Sequence, residues 1–114
     1  MMIQLKSFTN DAASRTKGLL LKTKLEHAIN EEERIYVDFK GIDKFASPFF
    51  NNSFSALGIQ YGFSVIEKIE LLNISDNGKL VFDSSMENAK FLIDHNEKEK
   101  EIKNITNSAL DEED

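Results

Sequence analysis

The side chains able to do chemistry in this chain gather at two places. The first begins at Asp38, inside the apolar run Arg34 to Phe39, and continues through Ser47-Pro48 to Asn51, Asn52 and Ser53. A Ser before a Pro reads as a helix start. The hydroxyl can accept from free backbone N–H groups, and Pro at the first helical position gives up no hydrogen bond. A strand that delivers an exposed Ser to a helix N-terminus makes a place where phosphates and partner proteins dock. Ser47 is therefore a candidate phosphorylation point, since a phosphate there gains from the helix dipole and disturbs a packed partner. Asn51 and Asn52 have middling helix propensity, so solvent or a partner is expected to face them. The second place is Arg15, in the first turn of a predicted helix. The macrodipole disfavours a cation there by about a few tenths of a kcal/mol. Such a cation calls for a carboxylate, here Asp38 or Asp43, or for a partner's anion; the alternative is that Arg15 points into solvent with its aliphatic stem over Phe8 or Leu19.

Other chemistries find little support. The chain has no cysteine, which removes thiol nucleophiles, disulfides and zinc–thiolate sites. Its two histidines, His27 and His95, lack metal-ligand spacing with carboxylates. No Gly-x-Ser-x-Gly elbow, phosphate-binding Lys loop or Gly-x-Gly-x-x-Gly turn occurs. The expectation is a protein that is not an enzyme and uses no metal or cofactor.

Charge narrows the partners. The net charge of -6 is uneven: residues 96–114 carry -4 of it, and the rest of the chain only -2. There is no basic stripe for nucleic acid, so direct DNA or RNA binding is not expected. No apolar run approaches the roughly 20 residues a membrane span needs, and no signal-peptide core opens the chain. A cytoplasmic protein is expected, as a monomer or weak homodimer.

The elements that must position these residues follow from periodicity. Ile3 to Phe8 reads as a strand, with Ile3 and Leu5 on one side. Thr9-Asn10-Asp11 reads as a helix start, and a helix is predicted from about Ala12 to Asn30. Its stripe is Ser14, Gly18, Leu21, Leu25, Ala28 and Ile29. Gly18 inside it costs about 1 kcal/mol relative to Ala, which implies tight backbone packing there. Arg34 to Phe39 is a strand with Ile35, Val37 and Phe39 facing one way. One helix is predicted from Pro48 to Tyr61, burying Phe50, Phe54, Leu57 and Tyr61. A third strand is predicted within Phe63 to Asn73, centred on Ile69 to Leu72. A last helix, from about Lys79 to Ile93, should bury Leu80, Val81, Ala89 and Leu92. The fold class is α/β, with a β-α-β-α-β-α order and helices packed on a mixed sheet. Residues 1–94 form the domain. Residues 95–114 form a charged extension, partly helical and then disordered.

Three blocks resemble the STAS-like family, small bacterial domains distantly related to anti-sigma-factor antagonists. They are Ser14-Arg15-Thr16-Lys17-Gly18, Val37-Asp38-Phe39-Lys40-Gly41-Ile42 and Ala46-Ser47-Pro48-Phe49-Phe50. The resemblance spans roughly Leu5 to Ile93. The chain departs from the family pattern at Phe49, where the family has a second Ser, and at Asn51, Asn52 and Ser53. The resemblance implies a non-enzymatic regulatory module for signalling through protein–protein contact. Its implied partner is a histidine-kinase-type ATPase or an anti-sigma-type regulator. Arg15, Asp38, Ser47, Asn51, Asn52 and Ser53 would form the docking surface. The alternative is an acidic inhibitor or antitoxin whose tail blocks a basic nucleic-acid-binding surface.

Overall fold

The alternation at Ile35, Val37 and Phe39 is what builds the sheet, because all three side chains are buried in the core. The computed structural model describes residues 1–31 and 34–111, with side chains described for residues 1–31 and 34–94. Three short strands, β1 (Met2–Gln4), β2 (Tyr36–Asp38) and β3 (Glu70–Leu72), lie in the order β1-β2-β3. Ile3, Val37 and Leu71 stand side by side in register. All three belong to or pack on the hydrophobic core, whereas Met2, Gln4 and Glu70 on the opposite face are exposed.

Both strand pairings are parallel, not mixed as the sequence reading had it. The reason lies in the connections. Antiparallel neighbours can be joined by a short hairpin, but here every return between strands passes through helix. Helix α1 (Arg15–Asn30) joins β1 to β2. Three helices, α2 (Ser47–Asn51), α3 (Phe54–Tyr61) and α4 (Phe63–Glu67), join β2 to β3. Helix α5 (Asp76–Asp111) follows β3. The strict alternation of single strands and helices is thus broken between β2 and β3.

Four differences from the sequence reading have physical causes. First, β1 ends at Gln4, and Leu5–Ser7 winds into a 3-10 turn. The Phe8 and Thr9 N–H groups both donate to the Leu5 carbonyl. Second, α1 starts three residues later than predicted, because Ala12 is held in a parallel bridge with Phe45. Its N-cap is Ser14, whose Oγ accepts from the Lys17 N–H at 3.2 Å. Ser14 is thus exposed at the helix start, while Gly18, Leu21, Leu25 and Ala28 form the buried stripe.

Third, the Pro48–Tyr61 helix is two helices. In a continuous helix the Ser53 N–H would reach the Phe49 carbonyl. Instead the Ser53 Oγ takes that carbonyl at 2.7 Å, and the Ser53 N–H turns to Phe50. Asn52 Nδ2 also donates to the Pro48 carbonyl at 2.7 Å, beside the Asn52 N–H, which keeps its ladder bond to the same carbonyl at 3.2 Å. A side chain that back-bonds to the carbonyl four residues earlier competes with the helix ladder, and at Ser53 it interrupts it.

Fourth, Phe63 to Glu67 is helical, so the third strand is confined to Glu70–Leu72. Gly62 supplies the turn with φ +98°, and the Phe63 ring folds back over Gly58. A short apolar run cannot by periodicity alone be assigned to strand or helix.

Nine-Phe composition becomes a stacked cluster in the centre. Phe50 lies between Phe39 at 6.2 Å, Phe45 at 6.5 Å and Phe54 at 6.2 Å, and meets Phe49 edge-on at 5.2 Å. Phe82 of α5 closes the group edge-on to Phe50 and Phe54, at 5.9 and 5.3 Å. Such offset and edge contacts add about 0.5–1.5 kcal/mol each beyond area burial. The predicted stripe of the last helix holds at Val81 and Ala89 and fails at Leu80 and Leu92. Leu80 and Leu92 are exposed, and Val81, Phe82, Ser85, Met86 and Ala89 face the body. The helix also starts earlier, at Asp76, where Ser75 Oγ accepts from the Gly78 N–H at 3.1 Å. It continues through Asp111, a length of about 54 Å at 1.5 Å per residue. Disorder was expected from Asp111 to Asp114; Asp111 is instead the last residue of α5, and 112–114 lie outside the described residues. Among the described residues no helix is long and apolar enough to cross a membrane.

Candidate docking site

The two places singled out in the sequence are joined by backbone. Ala12 donates its N–H to the Lys44 carbonyl at 2.9 Å, and its own carbonyl accepts from Ala46 at 3.0 Å. This bridge keeps the chain extended through Ala46, at φ -150° and ψ 152°, and α2 begins at the next residue. Ser47 is therefore the first helical residue and not the N-cap. No side chain caps α2. The cap position is fixed by where the bridge releases the chain, and Pro48, within the first turn, has no N–H to satisfy. Ser47 itself is exposed.

The helices it joins are packed at van der Waals limit. A Cβ added to Gly18 would collide with the Phe49 carbonyl oxygen, so α1 and α2 approach backbone to backbone. The tight packing expected at Gly18 is present. It places the exposed starts of α1 and α2 on a firm base of Phe49 and Phe50, both fully buried.

Asp38 has a different job from the one the sequence suggested. One carboxylate oxygen accepts from Asn73 Nδ2 at 2.9 Å and from the Lys40 N–H at 2.9 Å. The Asn73 hydrogen bond first, and the Lys40 backbone hydrogen bond second, hold its pKa below the ordinary aspartate value. Asp38 thus latches the end of β2 to the residue that follows β3. Asn73 sits at φ +55°, a left-handed conformation that asparagine tolerates better than most residues. Arg15 is exposed at the first position of α1, and among the described residues it forms no ion pair with Asp38 or Asp43.

The polar run after Ser47 turns largely inward. Ser53 is fully buried and bonded to Phe49, which removes it from the docking surface. Asn52 is half-buried and bonded to Pro48. Asn51 keeps an exposed edge, but its Oδ1 accepts from Ser85 Oγ of α5 at 2.5 Å. Ser85 then has no proton left, so Ser55 must be the donor in the 2.7 Å Ser55–Ser85 hydrogen bond. This Asn51–Ser85–Ser55 chain fastens α5 to α2 and α3. Sequence reasoning missed Ser55, Ser85 and Asn73. The only signal for Ser85 was its place on the helical face of Val81, Phe82 and Ala89. Of the six candidate residues, Arg15 and Ser47 remain fully available on the surface, and Asn51 in part. His27 is exposed, and the His95 side chain lies outside the described residues.

Residues 18–79 match the family model described as a STAS-like domain of unknown function (DUF4325). The match covers more than half of the 114-residue chain, and the chain belongs to this family. It contains Asp38, Ser47, Asn51, Asn52 and Ser53 and stops short of Arg15, so it is narrower than the span inferred from the three blocks. No curated protein and no solved structure matches the chain.

Proposed function

We propose that this domain is a non-enzymatic regulatory module that docks a partner protein through the surface around Ser47. The observation that carries the reading is the exposure of Ser47 at the first position of α2, directly above fully buried Phe49 and Phe50. A docking residue on rigid secondary structure loses little conformational freedom on binding. Arg15 supplies a cation near the neighbouring helix start, and the exposed edge of Asn51 supplies a neutral polar contact. Family membership supports the same class of role. The partner we propose is a kinase-like ATPase or an anti-sigma-type regulator, and Ser47 is the position where a phosphate would break the contact.

Affinity capture from native cells tests this reading, using the full chain, Ser47→Asp and a chain ending at residue 94. Partner recovery is expected to fall for Ser47→Asp and to persist for the shortened chain. Equal recovery with Ser47→Asp would sink the docking model. Loss of binding with the shortened chain would favour an inhibitor that works through its acidic tail.

A further inference from the structure

We propose that the free edge of β3, with the groove beside it, binds an extended polypeptide segment that alternates apolar and basic side chains. This surface lies apart from Ser47. The Glu70 N–H donates to the Ile35 carbonyl at 3.0 Å, and the Leu72 carbonyl accepts from Phe39 at 2.8 Å. Glu70 and Leu72 therefore turn their backbone groups toward β2. Successive residues alternate, so the N–H and C=O of Leu71 point to the open side of the sheet. β3 ends the strand order, so no further strand of the described chain receives them.

Beside this edge runs a groove of about 480 Å³, within the range of ligand-binding clefts. Its floor is Ile66, Ile69, Leu71, Ile74, Phe82 and Met86. An added strand uses main-chain hydrogen bonds for affinity and alternate side chains for specificity. The residue paired opposite Leu71 shares its face and enters the apolar groove. Its neighbours take the other face, where Glu70 stands exposed.

Charge selects the occupant. The two rim lysines are already answered: Lys79 by Asp83 at 3.0 Å and Lys90 by Glu67 at 3.6 Å. Glu70, on the face that the flanking side chains take, is left without an ion-pair partner among the described residues, so those side chains of the incoming segment should be basic. A second copy of this chain fits poorly. β3 has three residues and spans about 10 Å. Pairing two such edges falls far short of the roughly 800 Å² per partner of a stable interface. The proposal commits to a peptide segment.

The test is selection of phage-displayed nine-residue peptides on the full chain, followed by synthesis of the enriched sequences. Enriched peptides should alternate apolar and basic residues. Their binding should slow amide hydrogen exchange at Leu71 at least ten-fold. Methylating the backbone nitrogen of the central peptide residue, or the variant Glu70→Lys, should weaken binding at least five-fold. Glu70 is exposed, so circular dichroism can show that this variant stays folded. Ser47→Asp should leave peptide affinity unchanged, which separates this site from the docking surface. No enrichment, unchanged Leu71 exchange, or affinity that survives both changes would overturn the proposal. So would a dimer in sedimentation that already protects Leu71 in the free chain.

Discussion

The starts of α1 and α2 look alike in sequence and are built differently. Each follows an extended segment, and the two segments pair with each other through the Ala12–Phe45 bridge. At α1 a side chain closes the helix: Ser14 Oγ accepts from the Lys17 N–H. At α2 no side chain does so, and the backbone of Ala46 bounds the helix although a Ser stands next to it. Each start has a Ser, but only one Ser caps. The difference shows that a capping residue caps only when tertiary contacts leave it at the last extended position. For function it means that Ser47, released from capping, keeps a hydroxyl that folding does not use.

This comparison can be broken from its base upward. Phe50 supports α2 and touches five other phenylalanine rings. Phe50→Ala should cost about 4 kcal/mol, as for other buried Phe truncations. Chemical denaturation would measure it. A loss below about 2 kcal/mol would mean that the cluster collapses into the cavity and that α2 is not held by it.

Gly18→Ala tests the contact that locks the two starts together. Overpacking against the Phe49 carbonyl should cost about 3 kcal/mol at the upper end of the usual range. The better helix propensity of Ala returns about 1 kcal/mol. A net loss of about 2 kcal/mol is expected in the same unfolding assay, and a stabilised variant would show that α1 and α2 can separate freely.

The pair Ser14→Ala and Ser47→Ala sharpens the contrast most directly. Losing the true cap should cost about 1 kcal/mol. Ser47→Ala should stay within about 0.5 kcal/mol, as for surface changes away from special features. Equal losses would return Ser47 to a capping role.

The smallest effect concerns the latch between β2 and β3. Because the folded pKa of Asp38 is depressed, its contribution to stability is present above the ordinary aspartate pKa. That contribution is lost as pH falls through the lower folded value. Asn73→Ala removes the chief cause, so the Asp38 carboxyl should titrate at higher pH, followed by carbon NMR. An unmoved titration would assign the depression to the Lys40 N–H alone.

The sequence was most legible where local chemistry and burial agreed. The stripe Gly18, Leu21, Leu25 and Ala28 and the alternation of Ile35, Val37 and Phe39 both appear as read. Reading failed where a polar residue took a core place. Ser85 is buried and satisfied by Ser55 and Asn51, while Leu80 and Leu92 of the predicted stripe of α5 are exposed and only Val81 and Ala89 face the body. It failed again at Ser53, whose side chain takes the Phe49 carbonyl from the helix ladder where one predicted helix becomes two.

By itself, then, the sequence determined the α/β class, the parallel-compatible β-α-β core and the residues that could serve a surface site. These depend on periodicity and on side-chain chemistry, which are local properties. Tertiary structure decided which of those residues are free. Ser53 is consumed in the core, Asn51 is shared with α5, and Asp38 is latched to Asn73, while Ser47 and Arg15 are left exposed. Their fates depend on partners distant in the chain, such as Ser85 and Asn73, and on a bridge between Ala12 and Phe45. No local spacing encodes those meetings, because a hydrogen bond is satisfied by whichever group the fold brings within reach.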